Sequence, residues 1–197
     1  MGVKLVSASG GSVEINPPAT ASSFTATMPA GTGNVVVNGI NSAIVSGTAQ
    51  ASSSGTSIDF TGIPSWVKRI TVMFNGVSTN GSSNILIQLG DSGGFETTGY
   101  VSTACSTYGA GSAIVTSTAA FIVTSEVAAA GLLYGNVVIC LQNTSNNWVS
   151  SSVLSGNSRM QYASGGKSLS DTLDRVRITT VNGTDTFDAG SINILYE

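Results

Sequence analysis

The run Gly90-Asp91-Ser92-Gly93-Gly94 has the spelling of a serine-nucleophile loop. That chemistry needs an imidazole to take the hydroxyl proton and a buried carboxylate to orient it. The chain contains no histidine, which also removes the commonest general base and the commonest metal ligand. The run is therefore expected to be a glycine-rich hairpin following a strand over Ile85–Leu89. Two carboxylate pairs remain, Asp171 with Asp174 and Asp185 with Asp188. Such pairs can flank and hydrolyse a glycosidic bond. Asp185 and Asp188 follow Asn182-Gly183, however, where aspartate caps a turn through its own side chain. The spacing of the four also lacks the Asp/Asn alternation of a calcium loop. Gly31-Thr-Gly33 lacks the third glycine and the helix of a dinucleotide fingerprint. The expectation is a non-enzymatic protein with no cofactor and no metal.

Aromatic residues in polar loops point to binding. Trp148 stands beside Asn143-Thr-Ser-Asn-Asn147, and Tyr108 lies in Ser106-Thr-Tyr-Gly-Ala-Gly111. A flat apolar ring matches the C–H face of a sugar, so Trp148 and Tyr108 are the candidate receptor-binding residues. Core packing is the alternative for each. Trp66, which follows Pro64-Ser65, is expected to be a buried structural plug.

The elements that position these residues are strands. Val and Ile far outnumber Leu, and β-branched side chains suit a pleated surface. Alternation is clear in Ile70-Val72-Phe74, Ile85-Ile87-Leu89 and Ile192-Ile194-Tyr196. Ten strands are expected between Ser57 and Tyr196, with turns at Asn75-Gly76, Asn80-Gly81, Asp91–Gly94, Ser155–Asn157 and Asn182-Gly183. Helical turns are expected at Ser125–Leu133 and after Ser168, where Ser168-Leu-Ser-Asp171 matches a capping pattern. Short strands at this spacing indicate an all-β fold, an antiparallel β-sandwich of jelly-roll-like form. Cys105 and Cys140 are expected to be buried free thiols.

Residues 1–59 hold one aromatic, Phe24, and three charges, Lys4, Glu14 and Asp59. Both tryptophans and all five tyrosines lie beyond. This shift divides the chain into a small N-terminal β segment, residues 1–50, and a knob, residues 51–197, joined by a flexible connector near Ala49–Thr56. So thin an N-terminal core needs a partner surface, supplied by copies of the chain in a homotrimer or by a socket in a larger assembly. Net charge is −3 and charged residues are only 9 % of the chain, so no basic footprint for nucleic acid exists. No secretory signal is expected at the N-terminus. The most apolar stretch, Val127–Leu141, is too short to span a bilayer.

Three segments resemble bacteriophage tail-fibre proteins. Residues 3–38, with Asn16-Pro-Pro-Ala-Thr20 and Thr25-Ala-Thr-Met-Pro-Ala-Gly-Thr-Gly33, are similar to segments common in virion fibres. Asp59-Phe-Thr-Gly-Ile-Pro-Ser-Trp-Val-Lys-Arg-Ile-Thr-Val-Met-Phe74, with Ile87–Gly94, resembles a C-terminal fibre module, as does Leu173–Ile194. The resemblance implies a structural component of the virion, located at the phage tail. Residues 1–50 would dock on other virion proteins, and the knob would contact the host surface through a glycan or protein. It carries over no catalytic residues. A capsid head fibre or decoration protein is the alternative it leaves open, and a carbohydrate-binding or hydrolytic module is a more distant one.

Overall fold

Every regular element among the described residues is a β-strand, as the β-branched composition requires. The computed structural model describes residues 3–6, 9–10, 12–15, 44–109, 111–143, 145–156 and 158–197. The chain divides into two units, Met1–Val35 and Val36–Glu197. In the first, β1 (Val3–Val6) pairs antiparallel with β2 (Ser12–Ile15), Val3 opposite Ile15. The expected fibre-like punctuation at Pro17-Pro18, Pro29 and Gly31-Thr-Gly33 lies outside the described residues.

The second unit runs β3 (Val45–Ser46), β4 (Gln50–Ala51), β5 (Ser57–Thr61), β6 (Arg69–Thr79), β7 (Ile85–Asp91) and β8 (Gly94–Phe95). It continues with β9 (Tyr100–Tyr108), β10 (Gly111–Ser117), β11 (Phe121–Ile122), β12 (Leu133–Leu141) and β13 (Asn147–Gly156). It ends with β14 (Arg159–Ser168), β15 (Arg175–Thr180) and β16 (Phe187–Tyr196). The larger sheet has the order β10-β9-β14-β13-β12-β6-β16-β3, with β4 also on β16. The smaller has the order β11-β7-β15-β5, with β8 on β7. All these pairs are antiparallel. The two sheets share one core, the arrangement of a β-sandwich. Ile70, Val72 and Phe74 of β6, Val137 and Ile139 of β12, and Ile192 and Ile194 of β16 meet Ile87 and Leu89 of β7 and Val176 and Ile178 of β15 there. Each set is spaced by two, so one face of each strand is apolar and buried.

Several local expectations are corrected. Asn75-Gly76 is not a hairpin turn but a bulge inside β6, where the register with β12 and β16 shifts. Gly76 supplies the positive φ of 66° that the bulge needs. Asn-Gly meets the backbone demand of either structure, and the long apolar alternation on both sides keeps the strand going. Neither expected helical turn forms. Ser168 ends β14, and Ser170 spends its amide and hydroxyl on Glu96 and Asp91 instead of a helix start. Over Ser125–Leu133 the Ala130 amide bonds to the Thr79 carbonyl and the Gly131 amide closes one turn on the Ala128 carbonyl, so the segment is tied to β6 and makes a turn, not a helix.

The expected connector is docked. Gln50 and Ala51 pair with β16, the Ser52 amide bonds to the Gly190 carbonyl, and its hydroxyl donates to the Ala189 carbonyl. Among the described residues, the backbone pairing of the second unit therefore begins at Val45, ahead of residue 51. Cys105 and Cys140 are free and half-buried rather than buried. They are three strands apart, about 14 Å, beyond the ~7 Å reach of a disulfide.

Trp66 is not the buried plug expected, and Trp148 takes the core position that was its alternative. Trp66 is 50 % exposed and leans on Tyr196 at a centroid distance of 5.9 Å, while its neighbours Ile63 and Val67 enter the core. Trp148 is 3 % exposed and belongs to the core cluster. Trp148 and Leu154 are six residues apart in one strand and so share its inward face.

Candidate functional site

Trp148 is 3 % exposed with its ring in the core, and it also borders a groove of about 300 Å³ together with Gly99, Val101 and Lys167. Tyr108 closes β9, and its side chain lies outside the described residues. Its neighbours Thr107 and Gly109 line a groove of about 580 Å³. Two hairpins and a strand start build this groove. The β9–β10 hairpin contributes Thr107 and Gly109, the β13–β14 hairpin contributes Ser155 to Met160, and Leu132 and Tyr134 come from the entrance to β12. Register brings them together, since Tyr134 stands opposite Ser155 and Met160 opposite both Ser155 and Thr107.

Tyr134 is a half-exposed ring in this groove that sequence reasoning missed. It is 46 % exposed, and its hydroxyl lies 3.4 Å from where a Cβ on Gly76 would stand. The bulge in β6 thus leaves the space beside the ring. Leu132 and Met160 give the groove an apolar flank, and Thr107, Ser155 and Ser158 give it hydroxyls. Arg159 is held by Glu126 in an ion pair. Glu126 is anchored in turn, because Gln161 Nε2 donates to its carbonyl (2.6 Å) and Gln161 Oε1 accepts the Ser125 amide (3.0 Å). The described lining residues carry hydroxyls, a ring and a guanidinium, so they can stack and hydrogen-bond. A ring face beside hydroxyls in an open groove is the chemistry that holds a sugar.

The carboxylates singled out in the sequence have structural partners. Asp174 takes Arg175 in a two-point contact (2.6 and 3.1 Å), and Asp171 accepts the Thr172 amide. Asp185 accepts the Ser83 amide (2.9 Å) and the Asn182 side-chain amide (2.6 Å), donors that hold its carboxyl below the usual range. Asp188 accepts the Ser78 hydroxyl. Among the described residues no three of His, Cys, Asp and Glu converge as a metal site would require.

The nucleophile-like run is a hairpin. Asp91 pairs with Gly94 across the two-residue loop Ser92-Gly93, and Asp91 Oδ1 accepts the Gly93 amide at 2.8 Å. A Cβ on Gly90 would stand 2.3 Å from the Gly94 carbonyl oxygen. Asp91 reaches a network instead of a substrate. Its Oδ2 and Glu96 Oε1 both lie 2.8 Å from the Ser170 hydroxyl. Glu96 also pairs with the buried Lys167, whose ammonium sits 5.1 Å from the Tyr100 ring centroid. The Tyr100 hydroxyl accepts the Leu89 amide (2.8 Å) and donates to the Glu96 carbonyl (3.2 Å). Burial pushes the Tyr100 phenol up.

Both carboxyls of this network sit below their ordinary range. The Ser170 hydroxyl and the Gly93 amide lower Asp91. Burial raises Glu96, but Lys167 and the Ser170 donors outweigh it. A depressed carboxyl contributes stability above its unfolded pKa and loses it as pH falls through its folded pKa. The melting temperature is therefore expected to fall between about pH 5 and pH 2. A variant carrying both Asp91→Asn and Glu96→Gln should start lower at neutral pH and fall less steeply, which thermal melts across that range would measure.

The sequence matches no family model, no curated protein and no solved structure.

Proposed function

We propose that the chain is a structural protein of a bacteriophage virion fibre that contributes to host-surface attachment. In this reading it is a homotrimer, its N-terminal segment docks on other virion proteins, and its sandwich, jelly-roll-like in form, is the knob that meets a host glycan. The observation that carries the reading is the Tyr134 groove, a half-exposed ring with neighbouring hydroxyls and no carboxylate among the described lining residues. The fibre-like segments over residues 3–38, 59–94 and 173–194 supply the virion context. Tyr108, flanked by groove residues on both sides, stays with Tyr134 as a proposed contact.

Adsorption of particles carrying Tyr134→Ala tests this. Stacking on an aromatic face is worth about 1–3 kcal/mol by analogy with base stacking. Three linked sites multiply that loss, because each later contact forms at the high effective concentration set by the first. Adsorption should fall by far more than about tenfold, with fibre content and melting temperature nearly unchanged since the ring is already half in water. Normal adsorption by such particles would remove the groove from attachment and favour the head-decoration alternative.

A further inference from the structure

Two grooves lie at the two ends of one strand. β14 presents Met160, Tyr162, Ser164 and Gly166 outward, and Gln161 and Lys167 inward. Met160 lines the Tyr134 groove. Gly166 lines the groove of about 300 Å³, between Val101 of β9 and Val149 of β13. Six residues at a rise of about 3.4 Å separate the two by about 20 Å.

Register sets the rows between them. Tyr162 stands between Cys105 and Val153, and it is 41 % exposed. Thr103, Ser164 and Ser151 form the next row, of hydroxyls alone. Val101, Gly166 and Val149 form the last, with both valines exposed. Apolar and hydroxyl rows thus alternate about every 7 Å along the strand, and none of these side chains carries a charge.

The adjacent Gly165 and Gly166 differ in what they do. A Cβ on Gly165 would stand 2.8 Å from the Val101 carbonyl oxygen and 2.9 Å from the Phe121 ring, so the packing requires glycine there. A Cβ on Gly166 would meet nothing closer than the Trp148 carbonyl oxygen, at 4.0 Å. The sheet has room for a side chain at that position, and glycine inside a strand weakens it. What Gly166 supplies is the notch between the two valines.

We infer that the two grooves are the ends of one track along β14, which takes an extended, uncharged chain of several sugar rings rather than one terminal sugar. The inference rests on the glycan reading of the Tyr134 groove and adds to it the class of glycan and three further contacts, Tyr162, Ser164 and Gly166. A sugar ring offers a C–H face to Tyr162 and the valines, and rim hydroxyls to the Ser/Thr row. A peptide laid on the same track would find no backbone partner, because β14 is already paired on both sides, with β9 and β13. An acidic chain would find no lysine or arginine in the rows between the grooves.

Calorimetry of the purified full chain with size-sorted fragments of the surface polysaccharide, extracted from cells that adsorb the particle, tests this. Wild-type affinity should rise with length until a fragment spans about 20 Å, and by about tenfold or more over the shortest fragment that binds. Fragments of that length should also slow maleimide labelling of Cys105, the neighbour of Tyr162, and the shortest should not. Tyr162→Ala and Gly166→Val should each bring the long fragments down to the affinity of the short ones and leave the short ones unchanged. Gly166→Val should do so with an equal or higher melting temperature. Tyr134→Ala should weaken binding at every length. Affinity independent of length in the wild type, or long-fragment binding retained by both track variants, would overturn the track and leave the Tyr134 groove standing as a site for a single sugar. Absence of binding at every length would overturn the track and the glycan reading together. The length series and the labelling need no variant, so a substitution that fails to fold does not rescue the inference.

Discussion

Trp148→Ala is expected to destabilise the second unit by about 3–5 kcal/mol, as large aromatic truncations in a packed core do. Trp66→Ala should cost less than about 1 kcal/mol, the range of substitutions at partly solvated positions away from special contacts. The ranking follows from placement. Trp148 is hydrogen-bonded through its backbone into the middle of the larger sheet, opposite Leu141 on one side and Lys167 on the other, with its ring in the core. Trp66 lies inside a turn that the Val67 amide closes on the Pro64 carbonyl, and that turn sends Val67 inward and the indole outward. The buried Trp148 indole N–H has no hydrogen-bond partner among the described residues. Trp148→Phe should therefore cost far less than the Ala variant, because it keeps most of the ring and removes a donor that burial leaves unsatisfied. Urea unfolding of the four proteins at one pH gives the order directly. Equal losses for Trp66→Ala and Trp148→Ala would contradict the assignment of faces.

The strands were legible in the sequence because their signal is local. Period-two alternation in Ile70-Val72-Phe74 or Ile192-Ile194 needs only one buried face, and any sheet partner supplies it. Trp148 shares its phase with Leu154, a signal of burial that the polar loop before it outweighed in the reading of the sequence. What the sequence does not carry is pairing between distant residues. The groove depends on Tyr134 meeting Ser155 and on Met160 meeting Thr107, contacts set by strand order rather than by spacing. Asn75-Gly76 illustrates the same limit. The dipeptide specifies a positive φ, and whether that becomes a turn or a bulge is decided by β12 and β16 on either side.

On the proposed fibre reading, removal of residues 1–43 should abolish incorporation into particles while leaving the sandwich folded at nearly the melting temperature of the full chain. Every described strand of the second unit lies beyond the cut, and β3 and β4 stay in place on β16. A longer deletion, through Ser52, should behave differently. It removes the ladder of β3 and β4, the Gly47 amide bond to Ile194, the Ser52 amide and hydroxyl bonds to Gly190 and Ala189, and the Gln50 side-chain bond to the Asp59 carbonyl. At about 0.5–1.5 kcal/mol for each bond lost, the longer deletion should cost roughly 2–5 kcal/mol more than the shorter one. It also bares β16, an inner strand rich in Ile, to solvent along the edge those strands covered, so association at raised temperature should increase. Two measurements separate docking from folding: the melt of each truncated chain, and its recovery with particles that lack the full-length protein. Recovery of the 44–197 chain at full occupancy would move the docking function out of the first unit. Equal melts for the two truncations would show that β3 and β4 add nothing to the sheet they extend.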